Sequence, residues 1–165
     1  MRDDSQSWAP PPDHSQPLHG AGVTVTRILP VRQTLISAPD ILTRQPAALG
    51  WPDVATGDRY SLCLRRDRVL EINGPERAAG WHDGQAISDI TDGLIVFEIA
   101  GAAALALIQR GTEISERQPS RSVQRLGFGT ELMLYRWEDR LRLHAPRADG
   151  PALWHRLKAH LDLMG

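Results

Sequence analysis

Cysteine and lysine are nearly absent from this 165-residue chain, which has one of each, Cys63 and Lys158. One thiol excludes an internal disulfide and a zinc cage built from several thiolates. Cys63 lies inside the apolar segment RYSLCLR, which reads as a strand, so a buried and inert thiol is expected. An excess of charge of one sign is lacking too. The 19 basic and 20 acidic residues leave a formal net charge of -1. That balance offers no electrostatic footprint for nucleic acid or for an anionic membrane. The longest apolar run, LIVFEIAGAAALALI from Leu94 to Ile108, contains Glu98 and Gly101 and is too short to span a bilayer. The opening stretch MRDDSQSWAPPPDHSQPLHG puts acidic residues first, with no apolar segment after them, and does not read as a secretory signal. Together these absences predict a soluble, cytoplasmic, globular chain with no membrane or nucleic-acid partner.

Motifs that carry chemistry are as scarce. The six histidines are His14, His19, His82, His144, His155 and His160. None pairs at i, i+4 with a Glu between, and His155 and His160 fall on different helix faces, so no metal site is expected. There is no G-x-S-x-G elbow. The glycine signals LGFGT (126–130) and GAG (20–22) lack the dinucleotide fingerprint and the P-loop pattern. LGFGT stands between two strand-like segments and reads as a hairpin turn. Asp89 and Asp92 bracket the turn in SDITDG, where local hydrogen bonding accounts for both. Glu98 interrupts an apolar strand on the face of Leu94 and Val96. It must sit at an edge, or be covered and paired, with an Arg as the natural partner. No catalytic residue is expected.

What the chain does have is an echo of itself. LCLRRDRVLEINGPERAAGW (62–81) and LMLYRWEDRLRLHAPRADGPALW (132–154) share one plan. Each runs as an apolar segment, an Asp-Arg corner, a second apolar segment, a Pro, and a helix-like piece ending in Trp. Asp67-Arg68-Val69 matches Asp139-Arg140-Leu141 seventy-two positions on, and Trp81 matches Trp154 one position further out of step. Strands are expected at VTVTRILP, RQTLIS, RYSLCLR, RVLEI, AISDI, DGLIVFEIA, RSVQRLG, ELMLYRW and DRLRLHA. Helices are expected at SAPDILTRQPAALG, split by Pro46, at Pro75 to Trp81, at AAALALIQRG, and at PALWHRLKAHLDL. In the last, Leu153, Trp154, Leu157 and Leu161 form one stripe. WPDVATGD and GTEISERQPS read as loops.

This order predicts an α+β domain of duplicated strand-strand-helix-strands-helix units with mainly antiparallel sheets. Residues 1–20 are expected to be a flexible tail, with Trp8 as a candidate docking anchor. Residues 21–84 form the first half-repeat and 85–165 the second, together one domain.

Two segments look too apolar for solvent. The helix from Ala102 to Ile108 has no polar side, which calls for cover all round. Ala102, Ala103 and Ala106 are its candidate interface residues. In LMLYRW, Leu132 and Leu134 point one way and Met133, Tyr135 and Trp137 the other, so the second set is a further candidate interface. The alternative for that strand is burial inside its own domain.

The segment AISDITDGLIVFEIAGAAALALIQRGTEI resembles the gamma subunit of heterotetrameric sarcosine oxidase. The matching positions are Asp89-Ile90-Thr91, Gly101, Ala104 to Ile108, and Gly111-Thr112. The closing segment resembles that family through Arg121, Leu126, Leu143, Pro146-Arg147 and Leu153-Trp154. In the first half only Asp67 and Leu70 remain of the family's Gly-Pro-Asp-x-Trp-Leu. The resemblance spans about residues 23 to 162. It implies a T-protein-like (aminomethyltransferase, folate-binding) fold of duplicated β2-α-β3-α units. It also implies a small, non-catalytic subunit of a heterotetramer in sarcosine catabolism. In such an oxidoreductase complex the larger flavoprotein subunits hold FAD, FMN, NAD and tetrahydrofolate and oxidise an N-methyl amine, and this chain binds none of them. T-protein enzymes carry an acidic pair where this chain has Thr130-Glu131, which leaves one acid. A free-standing folate or small-molecule binder acting through Glu131 or Asp89 is the alternative, and a homodimer without ligand is a third reading.

Overall fold

Strand alternation and three two-residue turns set most of the backbone. The structure, a computed structural model, describes residues 13–165. Strand β1 (Leu18–Gly20) turns through Ala21-Gly22, both at positive φ, into β2 (Val23–Ile28). Val23 and Val25 of β2 are buried, and Thr24 and Thr26 take the other face. Order therefore begins inside the stretch read as a tail. Trp8 and the rest of residues 1–12 lie outside the described residues.

After β3 (Gln33–Ser37) comes α1 (Ile41–Arg44), a single turn. It stops short of Pro46, which can neither donate a backbone hydrogen bond nor leave Gln45 helical. The segment read as a loop contains β4 (Val54–Ala55). Then β5 (Tyr60–Arg65) and β6 (Arg68–Ile72) form a hairpin around Arg66-Asp67.

The helix expected from Pro75 to Trp81 is absent. The chain there is extended and enters β7 (Gly80–His82), which pairs with β8 (Gln85–Asp89) through Asp83-Gly84. Asp83 and Gly84 have φ of 49° and 75°, the left-handed pair that closes a two-residue hairpin. Gly80 at φ 120° cannot continue a helix. The Asp-Gly signal outweighs a helix that has no apolar stripe.

A 3-10 turn (Thr91–Gly93) leads into β9 (Leu94–Ala100), and α2 (Ala104–Gln109) follows. Gly101 joins them at φ 117°, and a side chain there would collide with the Gly22 carbonyl oxygen. β10 (Gln124–Gly127), β11 (Thr130–Trp137) and β12 (Arg140–Pro146) make consecutive antiparallel hairpins. LGFGT is the first of their turns, with Phe128 and Gly129 at positive φ. A second 3-10 turn (Arg147–Asp149) opens α3 (Gly150–Asp162), with Pro151 in its first turn.

The strands form two sheets. The first runs β1-β2-β9-β12-β11-β10, with β4 parallel to β11, and the second runs β5-β6-β3-β8-β7. Apart from the excursion to the two-residue β4, the chain crosses between sheets twice, from β2 into β3 and from β8 into β9. Each sheet therefore combines strands from both parts of the chain. The run β2-β9-β12-β11 in one has the same plan as β8-β3-β6-β5 in the other. The two Asp-Arg corners occupy matching places, each just before a central strand, β6 and β12. The tryptophans do not match: Trp154 is buried in α3, whereas Trp81 is 68% exposed on β7.

The architecture is an α+β stack of four layers, α1, second sheet, first sheet, then α2 with α3. Its largest core lies under α2 and α3, where Leu107, Ile108, Leu153, Trp154, Leu157 and Leu161 meet Phe97, Leu132, Leu134 and Leu143. The second core lies between the sheets, and the third is the small patch of Ile36, Ile41, Cys63 and Val69 beneath α1. Each full burial of a large apolar side chain stabilises by about 1.5–3 kcal/mol, so the α3 stripe anchors the outer layer.

Trp154→Ala should lower the unfolding free energy by about 3–5 kcal/mol, because it empties a core position. Trp81→Ala should change it by less than about 0.5 kcal/mol, as for exposed sites generally. Urea unfolding followed by circular dichroism measures both.

Candidate functional site

Polar side chains gather between the two sheets. Along β12, Leu141, Leu143 and Ala145 face the helices, so Arg142 and His144 face the second sheet. By the same alternation β9 turns Glu98 inward with Leu94 and Val96, and β11 turns Met133, Tyr135 and Trp137 inward. The second sheet answers with Tyr60 from β5 and Gln33 from β3.

These groups form one directed chain of hydrogen bonds. Arg142 donates to the Tyr60 hydroxyl at 3.1 Å. The Tyr60 and Tyr135 hydroxyls are 2.8 Å apart, and the Tyr135 hydroxyl is 2.9 Å from His144 Nε2. His144 Nδ1 lies 2.6 Å from Gln33 Oε1, an acceptor, which places the imidazole proton on Nδ1 and makes Nε2 accept from Tyr135. Gln33 Nε2 donates to the Thr91 carbonyl at 3.4 Å, and the Gln33 amide donates to Thr91 Oγ1 at 2.8 Å. At the far end Glu98 accepts from Arg142 at 2.7 and 2.9 Å and from Arg140. Arg142 also stacks on Trp137, its guanidinium carbon 3.5 Å from the ring centre.

Burial shapes the titration of this chain. His144 is fully buried, and loss of solvent, with Arg142 nearby, drives its pKa down to about 3. Burial, with Tyr60 alongside, pushes the Tyr135 hydroxyl well above its ordinary value. His144 is therefore neutral near pH 7, and Tyr135 is protonated. Each named polar group has a protein partner, so the arrangement holds two sheets in register and presents no nucleophile or free base to solvent.

The sequence-predicted residues are scattered rather than gathered. Asp89, at the end of β8, accepts from the Thr91 amide at 2.9 Å and from its hydroxyl at 2.6 Å. The hydroxyl bond, then the amide bond, lowers its pKa, and the carboxylate serves to fix the turn. Glu131 is exposed on β11 beside an open hollow lined by Arg65, Gln124, Arg125 and Leu126, away from Asp89. Cys63 is buried, and desolvation raises its pKa, as expected of an inert thiol. Glu98 is covered and paired with arginines, as its place in an apolar strand required.

The candidate interface on β11 needs correction. Met133, Tyr135 and Trp137 are covered by the second sheet of the same chain, with Tyr135 only 1% exposed. Trp137 also donates to the Gly57 carbonyl at 2.9 Å. Helix α2 is not enclosed all round either. Ala104, Leu107 and Ile108 face the core, Ala103 is half-buried, and Ala102 and Ala106 are open to solvent. Sequence reasoning missed Tyr60, Gln33 and His144. The signal for His144 was its alternation with Leu141, Leu143 and Ala145, which puts it on the face of Arg142.

Among the described residues no group of three or more His, Cys, Asp or Glu side chains is arranged to hold a metal ion. No helix among them is long and apolar enough to cross a membrane.

His144 also sets a pH dependence. The unfolded imidazole titrates near 6.5 and the folded one near 3. Between these values only the unfolded state takes up the proton. The stabilisation from keeping His144 neutral is complete above about pH 6.5 and is lost progressively as pH falls towards 3, at up to roughly 1.4 kcal/mol per pH unit. The wild type should therefore show a steeper fall in unfolding free energy between pH 6 and 4 than His144→Gln in denaturant titrations. In the same assay Glu98→Ala should destabilise by about 3 kcal/mol, because it strands the Arg142 charge between the sheets.

No family model matches the sequence, and no curated protein matches it. Among solved structures the fold is similar to that of a chain of heterotetrameric sarcosine oxidase from Corynebacterium sp. U-96, solved in complex with pyrrole 2-carboxylate. The TM-score is 0.70 at 15% sequence identity, over 89% of this chain and 87% of that one. The two chains are thus close in length, and the likeness is one of fold across nearly all of both. The fold likeness to a chain of heterotetrameric sarcosine oxidase agrees with the resemblance read in the sequence.

Proposed function

We propose that this chain is a non-catalytic, gamma-like subunit of a flavin-dependent sarcosine or N-methyl amine oxidase complex, acting as a scaffold for the larger subunit. The observation that carries the reading is the fold likeness over nearly the full length of both chains. The Tyr60-Tyr135-His144-Gln33 chain supports it, because the most polar part of the interior is occupied in joining two sheets. FAD, FMN, NAD and tetrahydrofolate belong, on this reading, to the larger flavoprotein chains. Ala102, Ala103 and Ala106 at the start of α2 are candidate contacts with them, since small side chains allow close approach.

We also infer that the domain arose by duplication and has a T-protein-like fold. The matched strand orders and the two Asp-Arg corners support this. Here the first unit has lost its closing helix and carries β7 instead.

Co-expression with the larger chains of an oxidase of this type, followed by size exclusion, tests the reading. This chain should co-elute with a species that absorbs as a flavin. Elution as a separate monomer would remove the basis for the proposal. Tetrahydrofolate added at millimolar concentration should leave the melting temperature of the isolated chain unchanged, and a rise would favour the alternative of a folate binder through Glu131 or Asp89.

A further inference from the structure

The two crossovers run side by side, and a hollow of about 180 Å³ opens between them. Its wall includes Arg27, Pro30, Thr91, Asp92 and Arg147. Arg27 Nε is buried without a hydrogen-bond partner, and among the described residues no carboxylate pairs with this arginine. A partly desolvated guanidinium without a counter-ion is unfavourable, and it gains most from a planar anion that its fork can grip. Arg147 has only a loose partner, since its Nη2 stands 3.5 Å from Asp92, whose side chain is 99% exposed. Two cations and one anion leave the hollow with one net positive charge. That suits a singly charged carboxylate better than a doubly charged phosphate.

The rim supplies the second observation. Leu29 and Val31, on the first crossover, are 76% and 82% exposed. The backbone of this crossover is anchored at Val31, because the Val31 and Arg32 amides donate to Asn73 Oδ1 at 2.8 and 3.2 Å. An exposed apolar pair on an anchored segment, beside an arginine that no described carboxylate pairs, has the composition of an interface centre, and the anchoring lowers the entropy lost on binding. A small free anion would leave both side chains in water.

We propose that this hollow is a docking site for an Asp or Glu side chain of the partner subunit, with Leu29 and Val31 packing against apolar residues that flank it. The site rests on the reading of the chain as an oxidase subunit and adds where that subunit holds on. It lies at the start of β9, whereas Ala102 and Ala106 lie beyond its other end.

Four proteins test it in the co-expressed complex: wild type, Arg27→Met with Arg147→Met, Leu29→Ser with Val31→Ser, and Arg66→Met as a remote control. Circular dichroism melts confirm folding. Both double variants should bind the larger chain about tenfold or more weakly, as when a desolvated charge pair loses one member. The control should bind as wild type does. Sodium acetate, compared with sodium chloride at equal ionic strength, should raise the melting temperature of the isolated wild type but not that of Arg27→Met. Double variants that assemble like the wild type would overturn the site and leave the subunit reading intact. If the wild type joins no oxidase chain, the subunit reading falls and acetate decides: protection that depends on Arg27 sustains a carboxylate site, and no protection overturns it.

Discussion

His144 is enclosed between two sheets with Arg142 as its nearest charge, so its imidazole can be accommodated only as a neutral bridge. That requirement reaches through the fold. Nε2 must find a donor and Nδ1 an acceptor, and these come from different sheets, Tyr135 from the first and Gln33 from the second. A slip of β12 by one residue would turn His144 into the apolar layer under α2 and α3 and bring Leu143 into the polar seam. The seam therefore sets strand register in the first sheet and positions the second sheet against it. Apolar contacts alone allow sliding, whereas a buried donor that has lost its acceptor costs about 1–3 kcal/mol.

The seam also ties down the places where the chain changes sheets. Gln33 stands just after the first crossover and Thr91 within the second, and the two are joined by backbone and side-chain bonds. Asp89 holds Thr91 in turn. An acid that looks like a catalytic candidate in isolation is thus one link in a brace that runs from the Glu98 arginine cluster to the β8–β9 turn. Its lowered pKa follows from that bracing and keeps it ionised, the form that accepts both Thr91 bonds.

Much of this was legible in the residues. Alternation in VTVTRI and LIVFEIA, the stripe Leu153, Trp154, Leu157 and Leu161, and Pro151 with its preceding turn placed strands and the last helix near their observed bounds. Glu98 announced an arginine partner, because an ionised group cannot remain alone in an apolar strand. Other features had little or no local signature. β4 is two residues long and exists through pairing with β11, eighty-two positions away in the chain. β7 has no apolar alternation and depends on the Asp83-Gly84 turn. The cover over Met133, Tyr135 and Trp137 was not legible either. A strand with two apolar faces states that both are buried, but not by what, and only the pairing of β3, β5 and β6 into a second sheet decides it. The Asp-Arg echo marked equivalent corners correctly, while the echo between Trp81 and Trp154 linked an exposed strand residue with a core helix residue.

When a small domain commits its fully buried histidine, both tyrosines and a largely covered arginine to joining two sheets, what remains for other molecules lies on the surface. β9 makes that surface stiff. It is central in the first sheet, paired with β2 on one side and β12 on the other. Its seven residues span roughly 20 Å from the crossover hollow to the turn before α2. Contacts at both ends of one central strand would be held at a fixed spacing before any partner arrives, so neither would require the domain to rearrange. A scaffold benefits from that arrangement, because ordering completed during folding is not charged again against binding.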